Sequence, residues 1–182
     1  MNLFILDTDP VEAAKQNCDR HVCKIIIEAA QMLSMAHRVS DTVDIPGWIY
    51  NTRSQRNNHV CKWVRENLSN YRWTVAHAIA LGSEYTRRYG KIHACMKVIV
   101  WCQLNEPQIP DAPLTPFRQA VAKDCYNDDI VLAYRDYYIR YKSGFAKWKS
   151  GPVLEWYVTG LQKHERKIQH EYYDLREVHE DW

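Results

Sequence analysis

The sequence is poor in the residues and runs that mark several protein classes. It holds only six glycines and seven prolines among 182 residues, and 46% of its residues are apolar, which excludes collagen-like and intrinsically disordered chains. No apolar run approaches the roughly 18 residues that a membrane-spanning helix needs. Glycine motifs for phosphate, dinucleotide and serine-hydrolase sites are absent, and no basic leader precedes Asp7 and Asp9. We therefore expect one soluble cytoplasmic domain over residues 1–182, with no membrane partner.

The cysteines and histidines do not follow a metal-binding pattern. Six cysteines without a secretory leader indicate free thiols, and a pair such as His59-x-Cys61 points to different faces of a helix. No spacing matches a zinc finger or an HExxH site, so we expect no metal and no cofactor. A metal-dependent hydrolase assembled from the scattered residues His21, His37 and His59 is an alternative.

Apolar residues recur every three or four positions, which predicts an all-α fold of about six helices. The predicted helices cover residues 9–17, 19–39, 58–89, 92–104, 129–141 and 151–178. Asp9-Pro10 and Asp19 are typical helix starts, and Gly90 is a typical helix end. Leu3–Leu6 is predicted to be a short strand or a buried tether. Four prolines within residues 105–128 predict a long irregular loop, and loops of this length are usually functional.

Positive charge is concentrated in two blocks of an otherwise acidic chain. The net charge is +2, but residues 53–91 hold eight basic and two acidic side chains, and residues 134–149 hold five basic and one acidic. Six aromatic residues interleave with the basic ones in the second block, a combination suited to phosphates and stacked bases. If the fold joins the two blocks, they focus a positive field on one cleft. The alternative is two separate solvated helix faces.

The predicted helix 19–39 carries a polar stripe beside its apolar face. His21, Lys24, Glu28 and Gln31 recur at helical spacing, so all four share one side of the helix. The simplest interpretation is a solvated face with an ordinary Lys24–Glu28 ion pair. In a cleft, the same pair becomes an amine nucleophile beside an acid/base carboxyl group.

A second polar stripe follows the predicted helix 58–89. Its start is a candidate phosphate site, because helix N-terminal amide groups and basic neighbours attract anions. The stripe comprises Asn58, His59, Arg65, Asn70, Trp73, His77, Glu84 and Arg88. For Trp73 and His77 taken singly, packing in the core is the simpler interpretation.

Several strings together resemble a family of small helical proteins from tailed phages and some bacteria. The strings are Leu-Asp-x-Asp-Pro at 6–10, Cys-Asp-x-His-Val-x-Lys-x-x-x-Glu-x-Ala-Gln-Met-Leu at 18–33, Asn-His-x-x-x-Trp-Val-Arg-Glu-x-x-x-Asn-Tyr-x-Trp at 58–73, Glu-Tyr-x-x-Arg-Tyr-Gly-Lys-x-His at 84–93, and Tyr-Arg-x-Tyr-Tyr followed by Ala-Lys-Trp-Lys within 134–149. The resemblance covers most of the chain and implies a phage or host-cell cytoplasmic setting without implying an activity. Its polar positions add Lys91, Arg135 and Lys147 to the candidate site.

The chain is also similar in design to phage pyrimidine-dimer glycosylases, which are small, helical and use an amine nucleophile with one catalytic glutamate. In that family the amine is the α-amino group exposed when Met is removed before a small residue. Residue 2 here is Asn, before which Met is usually kept, so we assign the amine to Lys24.

These observations predict an enzyme that acts on DNA or a nucleotide by N-glycosidic chemistry. Glu28 is the expected acid/base group and Lys24 the nucleophile or electrostatic stabiliser. His59, Arg65 and Arg88 are the expected phosphate clamps. The base is drawn out of the duplex onto aromatic side chains. The expected substrate-binding residues are His21, Gln31, Asn58, Arg65, Asn70, Trp73, His77, Arg88, Lys91, Arg135, Tyr138, Lys147 and Trp148. The alternative is a phage protein that binds a host factor or nucleic acid without chemistry.

Overall fold

The computed structural model describes residues 1–40, 42, 44–150 and 154–177, with side chains described through residue 169. Within these residues the chain forms seven α-helices and two short 3₁₀ turns, without a strand. The helices are α1 (Pro10–Gln16), α2 (Asp19–Val39), α3 (His59–Val64), α4 (Leu68–Tyr89), α5 (Met96–Leu104), α6 (Ile130–Tyr141) and α7 (Glu155–Glu177). The predicted all-α class is confirmed.

Residue types at the helix ends set most boundaries. The Asp9 carboxylate accepts hydrogen bonds from two backbone N–H groups of the first turn of α1, and Pro10 opens that helix. Asp129 caps α6 in the same way. Gly90 ends α4 at φ 66°, in the left-handed region that favours glycine. Asp19, predicted as the cap of α2, is instead its first residue.

The predicted helix 58–89 is in fact two helices, α3 and α4. The Asn67 side chain accepts a 2.9 Å hydrogen bond from the backbone N–H of Asn70, and this bond caps α4. Asn58 caps α3 through two such bonds. Asparagine offers the backbone an alternative partner, so the helix can end and restart although the apolar spacing continues.

The start of α5 differs from the prediction, and the predicted ends of the last helix lie outside the described residues. α5 begins at Met96 and not at residue 92. The predicted start of the last helix at residues 151–152 and its predicted end at residue 178 lie outside the described residues. The loop 105–128 is irregular as predicted, except for the 3₁₀ turn Lys123–Cys125.

α4 is the central helix of the fold. α1, α2, α3 and α5 all pack against it, whereas α6 and α7 pack against each other. α6 contacts the rest of the fold through tyrosines: the buried Tyr138 hydroxyl is hydrogen-bonded to His21 of α2, and the buried Tyr134 hydroxyl donates to the Arg118 carbonyl oxygen and accepts from the Ala120 N–H of the loop 105–128. In α7, the Trp156 indole N–H donates to the Gln16 side chain of α1. The last helix pair is therefore attached through side chains of both helices.

Leu3–Leu6 is a buried tether and not a strand. Within it Phe4 adopts φ 48°, a left-handed conformation that is uncommon for a residue with a side chain. The Phe4 ring lies 4.1 Å from the His21 ring of α2 and 5.4 Å from the Tyr138 ring of α6, centre to centre. The tether thus connects α2 with α6.

The remaining global features concern thiols and membranes. All six cysteines are free thiols, as predicted, and five of them are buried. None of the helices in the described ranges is long and apolar enough to cross a bilayer.

Candidate active site

A cavity of about 450 Å³ lies where the tether meets α2 and α6. It is lined by Met1, Asn2, Phe4, Arg20, His21, Lys24, Ile25, Glu28, Ala120, Tyr137, Lys142 and Phe145. Its volume falls within the range of roughly 300–1,000 Å³ that is usual for small-ligand sites. Three predicted site residues, His21, Lys24 and Glu28, therefore share one cavity.

Glu28 supplies the single carboxylate among these lining residues, and 16% of its side chain is exposed. Its Oε2 accepts a 2.6 Å hydrogen bond from the backbone N–H of Asn2 and lies 4.0 Å from the amino nitrogen of Met1. Its Oε1 lies 3.7 Å from Lys24 Nζ. Two amino groups thus flank one shielded carboxylate.

The two amino groups differ in how firmly they are held. The Lys24 side chain is 67% exposed and ends a flexible four-carbon stem, whereas the Met1 side chain is 4% exposed. The Asn2 side chain donates a 2.7 Å hydrogen bond to the Ala120 carbonyl oxygen and accepts a 2.8 Å hydrogen bond from the Phe4 N–H. These bonds fix the backbone of residues 1–4 against Glu28.

His21 forms a wall of the cavity. It is 5% exposed, and its Nδ1 is hydrogen-bonded to the Tyr138 hydroxyl. Burial, reinforced by the nearby lysine and arginine charges, lowers the pKa of His21 to about 3. The ring is therefore neutral at physiological pH, which suits a packing role under Phe4 better than proton transfer.

Two cations of the cavity lie over aromatic rings. The Arg20 guanidinium carbon is 4.9 Å from the centre of the Phe145 ring, and Lys142 Nζ is 4.3 Å from the centre of the Tyr137 ring. All four side chains line the cavity, and three of them belong to the aromatic and basic block 134–149 predicted to bind phosphates and bases, although none was predicted individually as a site residue. No lining residue of this cavity comes from residues 53–91, so the two basic blocks do not meet there; Arg87 and Arg88 instead line a separate pocket with Trp148 of the second block.

The aromatic residues of α6 show why Tyr138 was predicted as a binding residue although Tyr137 lines the cavity. Tyr134 and Tyr138 are fully buried, while Tyr137 and Tyr141 lie on the more open side of the same helix. Helical spacing defines these two pairs but does not tell which pair faces a cavity. Tyr138 was selected as a binding residue, and the structure places it inside the core.

The predicted phosphate site at the start of α3 does not line the cavity. Asn58 is a helix cap, and Arg65 donates hydrogen bonds to two backbone carbonyl groups and to the Cys61 sulfur. His59 is exposed, with Nε2 lying 3.2 Å from the Gln119 carbonyl oxygen. The three residues thus contact protein groups near α3 and not Glu28.

Three predicted binding residues of α4 are core residues. Asn70 is fully buried, and its amide is hydrogen-bonded to the Trp63 carbonyl oxygen of α3 and to Thr115 of the loop 105–128. Trp73 is 8% exposed and stacks on His77, with ring centres 5.1 Å apart. The two ring nitrogens of His77 lie 2.9 Å from the Pro10 carbonyl oxygen and 3.0 Å from that of Leu3. These side chains hold α1 and the tether on α4, so they are not open to a base or a phosphate.

Arg88 is the centre of a buried ion-pair network and not a phosphate clamp. Its side chain is 2% exposed and lies 3.2 Å from an Asp19 oxygen and 2.9 Å from a Glu84 oxygen. It also donates to the carbonyl oxygens of Asn17 and Lys15. A phosphate would have to displace two carboxylates to reach this guanidinium.

The remaining predicted residues also lie outside the cavity lining. Gln31 is half-buried one turn beyond Glu28, and Lys91 and Lys147 are exposed. Arg135 donates to a carbonyl oxygen of the tether, and Trp148 donates to one of α1. Both of these half-buried side chains therefore stabilise the fold around the cavity.

A larger groove of about 540 Å³ follows α4 beside α1 and α5. Its floor is apolar, and its charged rim is paired: Arg72 lies 2.6 Å from Glu106, and Glu84 belongs to the Arg88 network. Because its charged groups are already neutralised, we place any chemistry at the smaller cavity around Glu28.

The scattered histidines do not assemble a metal site. In the part of the chain that the structure describes, no group of three or more His, Cys, Asp or Glu side chains could hold a metal ion. His21 and His37 instead contact the hydroxyl groups of Tyr138 and Tyr71.

Comparison of the chain with models of protein families, with curated proteins and with solved structures finds no match. The resemblance to phage proteins therefore stays a prediction from sequence motifs.

Proposed function

We propose that this protein cleaves N-glycosidic bonds in DNA with an amine nucleophile held beside Glu28. The observation that supports this most directly is a shielded carboxylate with two amino groups within 4.0 Å, inside a positive, aromatic-walled cavity. An amine can attack a sugar carbon, and a neighbouring carboxyl group can move the protons.

In the proposed reaction, the amine lone pair forms a bond to C1′ of the deoxyribose while the bond from C1′ to the base breaks. The base leaves with that electron pair and takes up a proton. The attacking nitrogen gives a proton to Glu28, and the ring oxygen receives one as the sugar opens to an imine. Water then hydrolyses the imine, or Glu28 removes a C2′ proton and the 3′-phosphate departs.

Two amino groups can supply the nucleophile. Lys24 is the one that the helical stripe indicates. The Met1 amine has the better defined position, because the Asn2 hydrogen bonds fix its backbone. It is an α-amino group, as is the nucleophile of pyrimidine-dimer glycosylases, but here it belongs to Met1 and not to the residue that follows a removed Met. In either case the second amine stabilises the Glu28 carboxylate.

Borohydride trapping tests the proposal. The protein is incubated with a duplex that holds an abasic site and with an ultraviolet-irradiated duplex, and the imine is reduced to a stable protein–DNA adduct. Wild-type protein is expected to form the adduct, and Glu28→Gln is expected to slow it by about 10²-fold or more. Mass spectrometry of the adduct assigns it to Met1 or Lys24. The control Glu66→Gln changes an exposed carboxylate outside the cavity and is expected to have no effect.

Absence of an adduct from folded wild-type protein on both duplexes would overturn the proposal. The second candidate, a protein that binds nucleic acid without chemistry, is favoured by the positive charge of the same cavity. It predicts that Glu28→Gln leaves DNA binding and the biological effect intact.

A further inference from the structure

We infer that Arg20 and Lys142, together with Phe145 and Tyr137, form a subsite that takes one unpaired nucleotide of a DNA strand. The inference rests on the proposed function in that it names the ligand of the same cavity. It requires binding only, so it can be tested without any reaction at Glu28.

The positive charge of the cavity favours an anionic ligand. Glu28 lies within 4.0 Å of two amino groups, those of Lys24 and Met1, and its negative charge is already balanced by them. Among the described residues, no carboxylate lies within 4.0 Å of the Arg20 or Lys142 cation. Two cations in one cavity without a protein counter-charge select an anionic ligand, and phosphate is a group that both side chains bind well.

Each of the two cations lies beside an aromatic ring. Arg20 lies against Phe145 and Lys142 lies against Tyr137, and both rings are half-buried walls of the cavity. A cation–π contact holds each cation next to a flat apolar surface. Phosphate-binding groups and stacking surfaces therefore alternate around one small space. A nucleotide presents the matching pair of groups, a phosphate and a flat base.

The placement of the two cations favours a nucleotide within a strand over a free nucleotide. The two cations come from different elements, since Arg20 lies in the first turn of α2 and Lys142 follows the last residue of α6. A nucleotide within a strand carries a phosphate on each side of its sugar, whereas a nucleoside monophosphate carries one. The cavity has the volume of a small-ligand site, so a base enters it only after leaving its stack.

The binding experiment uses Glu28→Gln as the parent protein, so that cleavage does not interfere. A fluorescent 2-aminopurine opposite an abasic site in a duplex reports whether the base leaves its stack, and anisotropy of the same duplex reports affinity. We expect Arg20→Ala and Lys142→Ala each to weaken binding about tenfold and to lower the salt slope by about one. The matched control is Lys62→Ala, an exposed lysine of α3 outside the cavity, with unchanged affinity and slope.

The rings are tested by Phe145→Leu and Tyr137→Leu, which keep apolar volume but remove the stacking surface. Each is expected to weaken binding of the 2-aminopurine duplex by about tenfold, within the range for loss of base–aromatic stacking. Neither is expected to change binding of a duplex that lacks the base at that position. Phe145→Tyr keeps an aromatic ring at this position. Unlike Phe145→Leu, it is expected to bind the 2-aminopurine duplex with the affinity of the parent protein.

Three outcomes would overturn the inference. These are equal binding of free deoxynucleoside monophosphates and of the strand, an unchanged salt slope in both cation variants, and equal losses with and without the base in both ring variants. Trapping and binding are separate readouts. If no adduct forms but the subsite variants weaken binding, the proposed reaction fails and the subsite stands.

Discussion

At the scale of single residues, burial separates side chains that look alike in the sequence. Arg87 and Arg88 are neighbours on α4, yet 52% of the Arg87 side chain is exposed and 2% of the Arg88 side chain. Both bind Glu84, but Arg88 also neutralises Asp19 at the start of α2. Hydrogen bonds from the two arginines hold the pKa of Glu84 below its usual value, although burial alone would raise it.

This contrast predicts different stability losses for two adjacent substitutions. Arg88→Met is expected to lower the free energy of unfolding by about 3–5 kcal/mol, because it leaves the shielded Asp19 carboxylate without its counter-charge and Glu84 with only Arg87. Arg87→Met removes a mostly exposed ion pair and is expected to cost about 0–1 kcal/mol. Urea denaturation followed by circular dichroism measures both values, and similar losses in the two variants would contradict the assignment.

At the scale of helices, residue type and spacing predicted most of the fold. Asp9 and Gly90 were predicted correctly as end signals because each type has a strong positional preference. The break between α3 and α4 was missed, since apolar spacing continues across it and asparagine also occurs inside helices. A contact from the loop 105–128 helps to place the start of α4 at Leu68, because the Leu68 N–H donates to the Pro110 carbonyl oxygen.

The same limit applies to the site. The stripe of His21, Lys24 and Glu28 was predictable because spacing fixes which residues share a helix face. Their partners in residues 1–4 and 137–145 were not, because no local pattern reports contacts between residues that lie 26 positions apart, as Asn2 and Glu28 do, or 117 positions apart, as His21 and Tyr138 do. The aromatic block 134–149 was predicted to contribute to the site, but the sequence does not show which of its aromatic side chains face the cavity and which face the core.

The cap of α4 gives a prediction at this scale. Asn67→Ala is expected to lower the free energy of unfolding by about 1 kcal/mol, because the Asn70 N–H loses its acceptor. Asn67→Ser retains an acceptor oxygen and is expected to cost less. Urea denaturation gives the free energies, and hydrogen exchange of the first turn of α4 locates the effect. If serine destabilises as much as alanine, the capping bond is not the cause.

At the scale of the whole molecule, buried histidines link stability to pH. Burial lowers the pKa of His37 and of His77 to about 4 and that of His21 to about 3, against an ordinary value of 6.5. For His77, hydrogen bonds to two carbonyl oxygens oppose the lowering, but the cost of burying the charge dominates. The folded protein therefore holds these three rings neutral.

The unfolded chain binds protons at these histidines near pH 6.5, whereas the folded chain binds them only near pH 3–4. Stability is therefore expected to be complete above about pH 7 and to fall as the pH drops from 6.5 towards 4, by about 1.4 kcal/mol per pH unit for each histidine. Free energies of unfolding at pH 7.5, 6 and 5 check this. His37→Gln is expected to reduce the slope by about one third, and a flat profile from pH 7 to 5 would contradict the assignment.

The walls of the cavity are supplied by distant parts of the chain, since Phe4 lies beside Tyr137 and Glu28 beside Asn2. During translation, the amino-terminal segment and the carboxylate leave the ribosome long before Tyr137, Lys142 and Phe145 are made. A nascent or prematurely terminated polypeptide therefore carries the acidic group without the pocket that surrounds it. Whatever the finished molecule binds there, an unfinished copy cannot compete for it.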